Sequence, residues 1–331
     1  MPRARFCGSG RGFAGRRYYL RWLREGWFPP VNPRRTQPVV FMTRQNPYRL
    51  SVDALQQKAL EIRRDIITML VEAKSGHTGG PMGFADVATT LFFQEFIYDP
   101  AEPKWPDRDM WFFSMGHMTP VHYSCLAESG FFPRRDLMKF RKLDGHLQGH
   151  PSSLDTPGVE VSSGSLGQGL SIAFGAAYGS RMDGHPRRVY ALLSDGEQQE
   201  GSTWEAAMAA GHYRLDNLCA IVDYNNIQID GHVEDIMGLA PLGDKYRAFR
   251  WNVLEVDGHD FVAILGALDQ ARACKGRPTV ILARTVMGEP ISFMRDRSEW
   301  HGKPPTPEQG EKALAELGTG LADWSARLLT G

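Results

Sequence analysis

The sequence has few cysteines, no long apolar run and no excess of either charge, and each shortage excludes a class of protein. Its four cysteines lie far apart and form no CxxC pair, which argues against a zinc site or a disulfide framework and favours a reducing compartment. No apolar run approaches the roughly 20 residues that span a bilayer. Lys plus Arg and Asp plus Glu both total 38, so the chain lacks the basic excess of nucleic-acid-binding proteins. We therefore expect a cytoplasmic protein that binds neither membranes nor nucleic acids.

The first 41 residues differ in composition from the rest of the chain. They contain nine arginines and a single acidic residue, Glu25. Three interpretations are open: an organellar transit peptide, although Ser9 is the only serine there; a misassigned start, with Met42 as the initiator; and a basic arm that binds an acidic partner. We predict a basic N-terminal extension over residues 1–45, disordered unless a partner holds it, and one domain over residues 46–331.

Regular secondary structure is predicted from Ser51 onward. Apolar side chains recur at helical spacing over residues 53–73, and residues 84–97 form a second helix candidate, with the loop Ser75–Gly83 between the two. Residues 141–165 are rich in glycine and proline and are predicted to form a long loop. Loops of that length inside a compact domain are usually functional.

Short apolar segments alternate with helical ones in the second half of the chain. The predicted strands are Val189–Ser194, Leu218–Tyr224, Asn252–Val256 and Thr279–Thr285, and the predicted helices are Thr203–Tyr213, Phe261–Ala273 and about Pro307–Leu328. This alternation indicates a doubly wound α/β fold, in which a mostly parallel sheet is flanked by helices.

Two of the predicted strands are followed by polar residues that suit a metal ion and a phosphate group. Asp195 and Gly196 follow one strand, and Asn225, thirty positions after Asp195, follows the next together with Asn226. In an open α/β sheet, ligands bind outside the carboxyl ends of the strands, where such residues converge. Carboxylate and amide oxygens suit Mg²⁺, and Gly196 allows the close approach of a phosphate. Each pair alone also fits an ordinary loop turn.

This arrangement resembles the diphosphate motif of thiamine diphosphate enzymes, in which Gly-Asp-Gly precedes a double asparagine; here Ser194 replaces the first glycine. The resemblance implies that thiamine diphosphate binds together with Mg²⁺, or with Ca²⁺ or Mn²⁺. It assigns the metal to the side chains of Asp195 and Asn225 and to the carbonyl of Ile227. The residues assigned to the cofactor in this motif are Gly196, Glu197 and Asn225.

Further motifs, in order along residues 55–325, resemble those of transketolases in particular. They are Ser75–Pro81, Ser114–His117, Gly149–Pro151, Pro157–Glu160, Gly164–Gly169, Glu197–Glu205 and Trp300–Pro304. The chain therefore resembles the N-terminal, pyrophosphate-binding subunit of a transketolase that is encoded as two polypeptides. The implied fold is the pyrophosphate domain of the thiamine diphosphate enzymes.

Four glycine-flanked histidines carry the catalytic roles that this resemblance implies. His117 and His150 would bind hydroxyl groups of the donor ketose, with His117 also at the cofactor. His77 and His301 would lie beside the reacting carbonyl and the hydroxyl that loses its proton. The resemblance also implies that Gly164 and Leu166 contact the cofactor. It implies that Glu200 couples two active sites; the alternative is that Glu200 is simply a solvated helix residue. No role is assigned to His122, His146, His212, His232 or His259.

The resemblance also implies a reaction and a partner. The reaction is the transfer of a two-carbon ketol unit from a ketose phosphate to an aldose phosphate. In this family the glutamate that activates the cofactor belongs to a pyrimidine-binding domain, which we expect on a separate C-terminal subunit. We expect an assembly of two copies of this chain and two copies of the C-terminal subunit, with active sites at the interfaces. Alternatives are a subunit of another split thiamine diphosphate enzyme, such as a 2-oxoacid dehydrogenase, a transketolase for an unusual sugar phosphate, and a catalytically silent paralogue.

Overall fold

Five parallel strands form the central sheet of the computed structural model, which describes residues 45–143 and 145–330. The predicted N-terminal extension therefore lies outside the described residues, apart from residue 45. In chain order the strands are β1 (Met110–Phe113), β2 (Val189–Ser194), β3 (Leu218–Asp223), the short antiparallel pair β4 (Ile227–Gln228) and β5 (Gly231–His232), β6 (Asn252–Asp257) and β7 (Thr279–Arg284). The order in the main sheet is β1-β2-β3-β7-β6, and every neighbouring pair is parallel.

Helices lie between and around these strands. They are α1 (Val52–Ala73), α2 (Gly79–Gly83), α3 (Ala85–Thr90), α4 (Thr119–Glu128), α5 (Gly169–Met182), α6 (Gly201–His212), α7 (Val233–Met237), α8 (Leu242–Ala248), α9 (Phe261–Ala273), α10 (Pro307–Glu316) and α11 (Leu321–Thr330). Short 3₁₀ turns occur at Gly116–Met118, Arg134–Lys139, Gly196–Gln199 and Ser298–Trp300, and a π turn at Leu91–Glu95. Among the described residues, no helix is both long and apolar enough to cross a bilayer.

Alternate residues of the strands face two apolar cores, one on each side of the sheet. On β2, Tyr190 and Leu192 belong to the core that includes α1, α4 and α9, whereas Val189, Ala191 and Leu193 belong to the core that includes α5, α6 and α8. All residues of β2 and β3 are buried because helices cover both faces. These findings confirm the predicted doubly wound α/β fold.

Side chains that cap the first turn mark where three of the helices begin. Ser51 caps α1, Asp260 caps α9, and Thr306 forms a capping box with Gln309 at the start of α10. Such caps satisfy N–H groups that have no partner within the helix and contribute about 1 kcal/mol each. The predicted start of α1 near Ser51 and both bounds of α9 are confirmed.

The C-terminal segment differs from the prediction. A single helix over about 307–328 is wrong, since α10 ends at Glu316 and α11 begins at Leu321. Gly318 lies between them with a φ of 77°. This left-handed conformation terminates helices, and glycine adopts it without the strain that a Cβ would cause.

Elements in the first half of the domain also depart from the prediction. Gly79–Gly83, predicted as loop, forms the helical turn α2, and the helix predicted over 84–97 ends earlier, as α3 followed by the π turn. Strand β1 was not predicted, because a short apolar run such as Met110–Phe113 does not distinguish a strand from a buried helix. Helix α4 was also missed: all but its last residue is buried, so it has no polar face to reveal a helical period.

The carboxyl ends of the strands place the sequence motifs at one edge of the sheet. β2 and β3 pair in register as far as Ser194 and Asp223, their last residues. Asp195 and Asn225 therefore follow the two strands at the same level. β1 pairs with β2 on the other side, and the turn that carries His117 begins shortly after its end. Three adjacent strands thus bring His117, Asp195 and Asn225 to one edge of the sheet.

Candidate active site

A cleft of about 460 Å³ lies at the carboxyl ends of the strands. It is lined by predicted site residues from seven separate segments of the chain. These residues are His77, His117, His150, Gly164, Leu166, Asp195, Gly196, Glu200, Asn225, Ile227 and His301. Of the predicted site residues, only Glu197 is absent from the lining. The structure therefore brings together residues that are as much as two thirds of the chain apart.

Asp195 lies at one end of the cleft, directly after β2. Its carboxylate accepts hydrogen bonds from the backbone N–H groups of Gly196, at 2.7 Å, and Asn226, at 2.6 Å. The left-handed φ of Asn226, 61°, belongs to the turn that presents this second N–H group. Burial and, after it, the neighbouring Asp223 carboxylate raise the pKa of Asp195 to about 8.

Asn225 is held in place by two hydrogen bonds. Its Nδ2 donates to the carboxylate of Asp223 at 2.9 Å, and its Oδ1 accepts from the N–H of Ile227 at 2.9 Å. These bonds fix the orientation of the amide, and Oδ1 keeps a second lone pair for another partner. Asp223 also accepts a hydrogen bond from the hydroxyl of Thr285, and burial raises the pKa of Asp223 to about 6.

The chemistry of this corner fits a divalent cation. Asp195 and Asp223 are both buried, and within the described chain neither forms an ion pair with lysine or arginine. A cation would offset the cost of burying these two neighbouring carboxylates. The oxygen donors available are a carboxylate, an amide and the backbone carbonyl of Ile227, a set that suits Mg²⁺ or Ca²⁺ rather than a softer metal.

Three histidines form a cluster in the lining of the same cleft. The ring centroids of His77, His117 and His301 are 5.2 to 5.6 Å apart. Burial is the main reason that the pKa of His77 falls to about 4, that of His117 to about 3, and that of His301 below its usual value. The rings are therefore neutral at pH 7, each with one nitrogen that donates and one that accepts. Nδ1 of His77 and of His301 is buried and has no hydrogen-bond partner among the described residues.

Contacts between two loops hold His77 and His301 close together. The Thr78 hydroxyl donates to the carbonyl of Lys303 at 2.6 Å, and the N–H of Gly288 donates to the carbonyl of Gly79 at 2.9 Å. A Cβ at Gly79 would lie 2.5 Å from Cγ of Met287. A larger residue here would have to displace the Met287 side chain.

Close backbone packing also joins the His117 turn to the long loop. A Cβ at Gly116 would lie 2.8 Å from the backbone nitrogen of Gly164, and one at Gly164 would lie 3.2 Å from the ring of His150. Gly164 has a φ of 156°, in the region that favours glycine. These two glycines allow His117, His150 and the Gly164 backbone to meet at one wall of the cleft.

Glu197 lies beneath the cleft. The side chain is fully buried, and neither carboxylate oxygen has a hydrogen-bond partner of standard geometry in the described chain. Burial raises the pKa of Glu197 to about 8, although the nearby Ser114 hydroxyl opposes this. Sequence reasoning identified the residue but not its depth, because a motif does not show on which side of a turn each side chain lies.

Several residues that line the cleft were not among the predicted site residues, and Asp223 and Met287 are two of them. Asp223 is the last residue of β3, and its position directly before Tyr224 and the asparagine pair was a signal that could have identified it. Met287 follows β7 and has no such signal, since a methionine after a strand is most often part of a core. No histidine without an assigned role lines the cleft; these are His122, His146, His185, His212, His232 and His259.

Comparisons with known proteins identify the family of this chain. The family model for the thiamine diphosphate binding domain of transketolase matches residues 55–322. An apulose-4-phosphate transketolase subunit from Actinobacillus succinogenes is 41% identical over 273 residues, which are 82% of this chain and 99% of that protein. The 6-deoxy-6-sulfo-D-fructose transketolase subunit SqwG of a Clostridium species is 40% identical over 263 residues, covering 80% of this chain and 96% of that protein.

Solved transketolase structures share the fold. The crystal structure from Campylobacter jejuni superposes with a TM-score of 0.78 at 32% identity, over 84% of this chain and 46% of that one. The structure from Leishmania mexicana superposes with a TM-score of 0.77 at 30% identity, over 83% of this chain and 44% of that one. The chain thus spans less than half of these transketolases but nearly all of the subunits named above. On this evidence the chain belongs to the transketolase family, as a thiamine diphosphate-binding subunit of these transferases.

Proposed function

We propose that this chain is the cofactor-diphosphate half of a two-subunit transketolase. With thiamine diphosphate and Mg²⁺, the complete enzyme transfers a two-carbon ketol unit from a ketose phosphate to an aldose phosphate. The observation that carries the proposal is the single cleft in which an oxygen-rich corner, at Asp195 and Asn225, faces the same space as three neutral histidines. A diphosphate with its metal and a sugar with its hydroxyl groups require these two environments side by side.

The corner at the strand ends would hold the metal and the diphosphate. Asp195 and Asn225 would bind the cation by their side chains and Ile227 by its carbonyl, while diphosphate oxygens and water complete the coordination that Mg²⁺ demands. Gly196 lines the cleft and carries no side chain, and a Cβ there would lie 3.8 Å from Gln228, so the diphosphate can approach the backbone at this position. Gly164 and Leu166 would contact the cofactor from the opposite wall.

The histidines would bind the sugar and move protons. Thiamine diphosphate, when bound, supplies the electron sink that allows a carbon–carbon bond to break. His77 and His301, which line the cleft close to each other, would accept and return the hydroxyl proton beside the reacting carbonyl. His117 and His150 would orient the donor hydroxyls. Because the clustered rings are neutral, each can act as a hydrogen-bond acceptor as well as a donor.

A partner polypeptide would complete the site. The two relatives at about 40% identity are both named as subunits, and this chain covers them almost entirely. Glu200 lines the cleft and is exposed, so a partner could contact it there. We infer a two-plus-two assembly of two copies of this chain with two copies of a C-terminal, pyrimidine-binding subunit, in which Glu200 couples the two sites. The cysteines of the described chain are free thiols, which fits a reducing cytoplasm.

The test is two-carbon transfer from xylulose 5-phosphate to ribose 5-phosphate with thiamine diphosphate and Mg²⁺. The chain is assayed alone and with the C-terminal transketolase subunit of the same genome. We expect activity only in the mixture, and its loss in Asp195→Ala but not in the control Asp235→Ala, which changes an exposed aspartate outside the cleft. Activity of the chain alone would contradict the partner requirement.

A second candidate is a transketolase for an unusual sugar phosphate or sulfonate. It is favoured by the names of two relatives, which specify apulose 4-phosphate and 6-deoxy-6-sulfo-D-fructose. The same mixture is therefore assayed with both of these donors. A kcat/KM higher for either one than for xylulose 5-phosphate would support this candidate, whereas the reverse order would support an ordinary pentose phosphate donor.

A further inference from the structure

One arginine outside the motifs connects two of the histidine loops. Arg141 Nη1 donates a hydrogen bond to the hydroxyl of Ser75 at 2.7 Å, and Nη2 donates to the carbonyl of Gly149 at 3.3 Å. Ser75 lies two residues before His77, and Gly149 directly precedes His150. A single guanidinium therefore links the segments that carry these two histidines.

Gly149 and Phe140 pack against this guanidinium, and Arg141 is partly exposed. A Cβ at Gly149 would lie 2.9 Å from Nε and 3.0 Å from Cζ of Arg141, so the glycine is needed for the contact. The ring of Phe140 lies 5.3 Å from the guanidinium carbon. The backbone of Arg141 has a left-handed φ of 57°, which is costly for a residue with a side chain, and its N–H donates to the carbonyl of Leu147 at 2.9 Å. The left-handed backbone of Arg141 thus directs its side chain towards Ser75 and Gly149.

The charge of Arg141 also acts on both histidines. For His150, burial and then Arg141 lower the pKa of the ring. For His77, burial and the neighbouring His301 act first, and Arg141 adds to the effect. A fixed positive charge disfavours a second one nearby, so it helps to keep the two imidazoles neutral.

We propose that Arg141 is a positioning residue for the transfer reaction, which fixes the separation of His77 and His150 by bridging Ser75 Oγ and the Gly149 carbonyl. It touches neither the cofactor corner nor the histidine rings by hydrogen bond, so it acts through the two loops. Its effect on turnover rests on the proposed function, but its effect on the loops does not.

Two variants separate the bridge from the charge. Arg141→Lys keeps the charge but has a single nitrogen, which cannot hold both acceptors in the geometry of a guanidinium. Arg141→Met removes both the charge and the hydrogen bonds to Ser75 and Gly149. We expect kcat with the partner subunit to fall by roughly tenfold to a hundredfold in both variants, because small displacements of reacting groups are that costly. Arg135→Met, at an exposed arginine of the neighbouring 3₁₀ turn, is the matched control and should leave kcat unchanged.

A spectroscopic measurement on the chain alone makes the test independent of the reaction. In protein with ¹³Cε1-labelled histidine, Arg141→Met should move the resonances of His77 and His150 and raise the pKa of both rings, whereas Arg141→Lys should move the resonances and leave the pKa values near those of the wild type. Ser75→Ala, a milder change at one end of the bridge, should move His77 more than His150. Circular dichroism melting confirms that each variant is folded.

The outcomes are distinct. Unchanged His77 and His150 resonances in folded Arg141→Met and Ser75→Ala would overturn the bridge. Displaced resonances with wild-type kcat would overturn the positioning role while leaving the bridge in place. If the wild-type mixture transfers no ketol unit from any donor, the proposed function fails, and the resonances still decide whether Arg141 holds the two loops.

Discussion

Two regions of this protein bury an aspartate and a histidine in similar settings, yet only one of them forms a site. Asp195 and His117 lie at the cleft, whereas Asp65 of α1 and His122 of α4 lie in the helical layer on one face of the sheet. Burial is the largest cause of a raised pKa in both aspartates and of a lowered pKa in both histidines. A perturbed pKa therefore does not distinguish the two regions.

The surroundings distinguish them. Asp65 accepts a hydrogen bond from Nε1 of Trp324 at 2.8 Å and forms an ion pair with Arg134 at 3.2 Å. His122 is stacked on Phe113, with ring centroids 3.9 Å apart and planes 11° apart. Both are directed at protein atoms and neither lines the cleft. The comparison teaches that convergence on open space, together with a perturbed pKa, marks a functional group.

The largest expected effect separates the two aspartates by activity. Asp195→Ala should lower ketol transfer by more than about a hundredfold, because it removes a proposed metal ligand, and even the loss of a residue behind a ligand costs 10–100-fold. Titration with thiamine diphosphate and Mg²⁺, followed by quenching of tryptophan fluorescence, should show weakened binding by a folded protein. If this variant bound the cofactor as tightly as the wild type, Asp195 would be no more a functional residue than Asp65.

The next effect separates the two histidines. His117→Ala should lower kcat by about a hundredfold, as expected for a group that binds or moves protons in the transition state. Steady-state kinetics with the partner subunit measures this. The matched control is His122→Phe, which should retain kcat because that ring contacts the core and not the cleft. Equal losses in the two variants would contradict the comparison.

Asp65 should matter for stability rather than for turnover. Asp65→Ala leaves the buried Trp324 indole N–H without its acceptor and leaves Arg134 with Glu128 as its remaining ion-pair partner, and we expect the free energy of unfolding to fall by about 3 kcal/mol. Urea denaturation measures the change. Asp65→Asn can keep the hydrogen bond from Trp324, so its free energy of unfolding should fall by less. A folded Asp65→Ala protein of unchanged stability and low kcat would place Asp65 in the functional region instead.

The smallest expected effect is the pH dependence that His122 causes. The pKa of His122 is lowered to about 3 in the folded protein. Its neutral ring therefore contributes stability above the unfolded pKa of about 6.5, and this contribution is lost as the pH falls towards 3. The free energy of unfolding of His122→Phe minus that of the wild type should therefore be about 2 kcal/mol more favourable to the variant at pH 5 than at pH 8. Urea denaturation at the two pH values tests this, and an equal difference at both would show that His122 titrates normally. The added volume of phenylalanine acts equally at both pH values and cancels.

The sequence by itself determined the features that depend on neighbouring residues. The alternation of β2, α6, β3, α9 and β7 follows from short buried runs and helical periods, and the start of α1 follows from a capping serine. The site residues could be named because glycine-flanked histidines and the Asp195 turn are local motifs that resemble those of a known family. Each of these signals is contained in a short stretch of chain, so no knowledge of distant contacts was needed.

Only the tertiary structure decided how those stretches meet. It placed His77, His117 and His301 from three loops within 5.6 Å of one another, set Glu197 beneath the cleft, and added Asp223 and Met287 to its lining. These distances depend on loops that pack against one another through glycines and single hydrogen bonds, and such contacts leave no periodic trace in the sequence. For the same reason the all-buried α4, the short β1 and the bridge made by Arg141 became visible only in three dimensions.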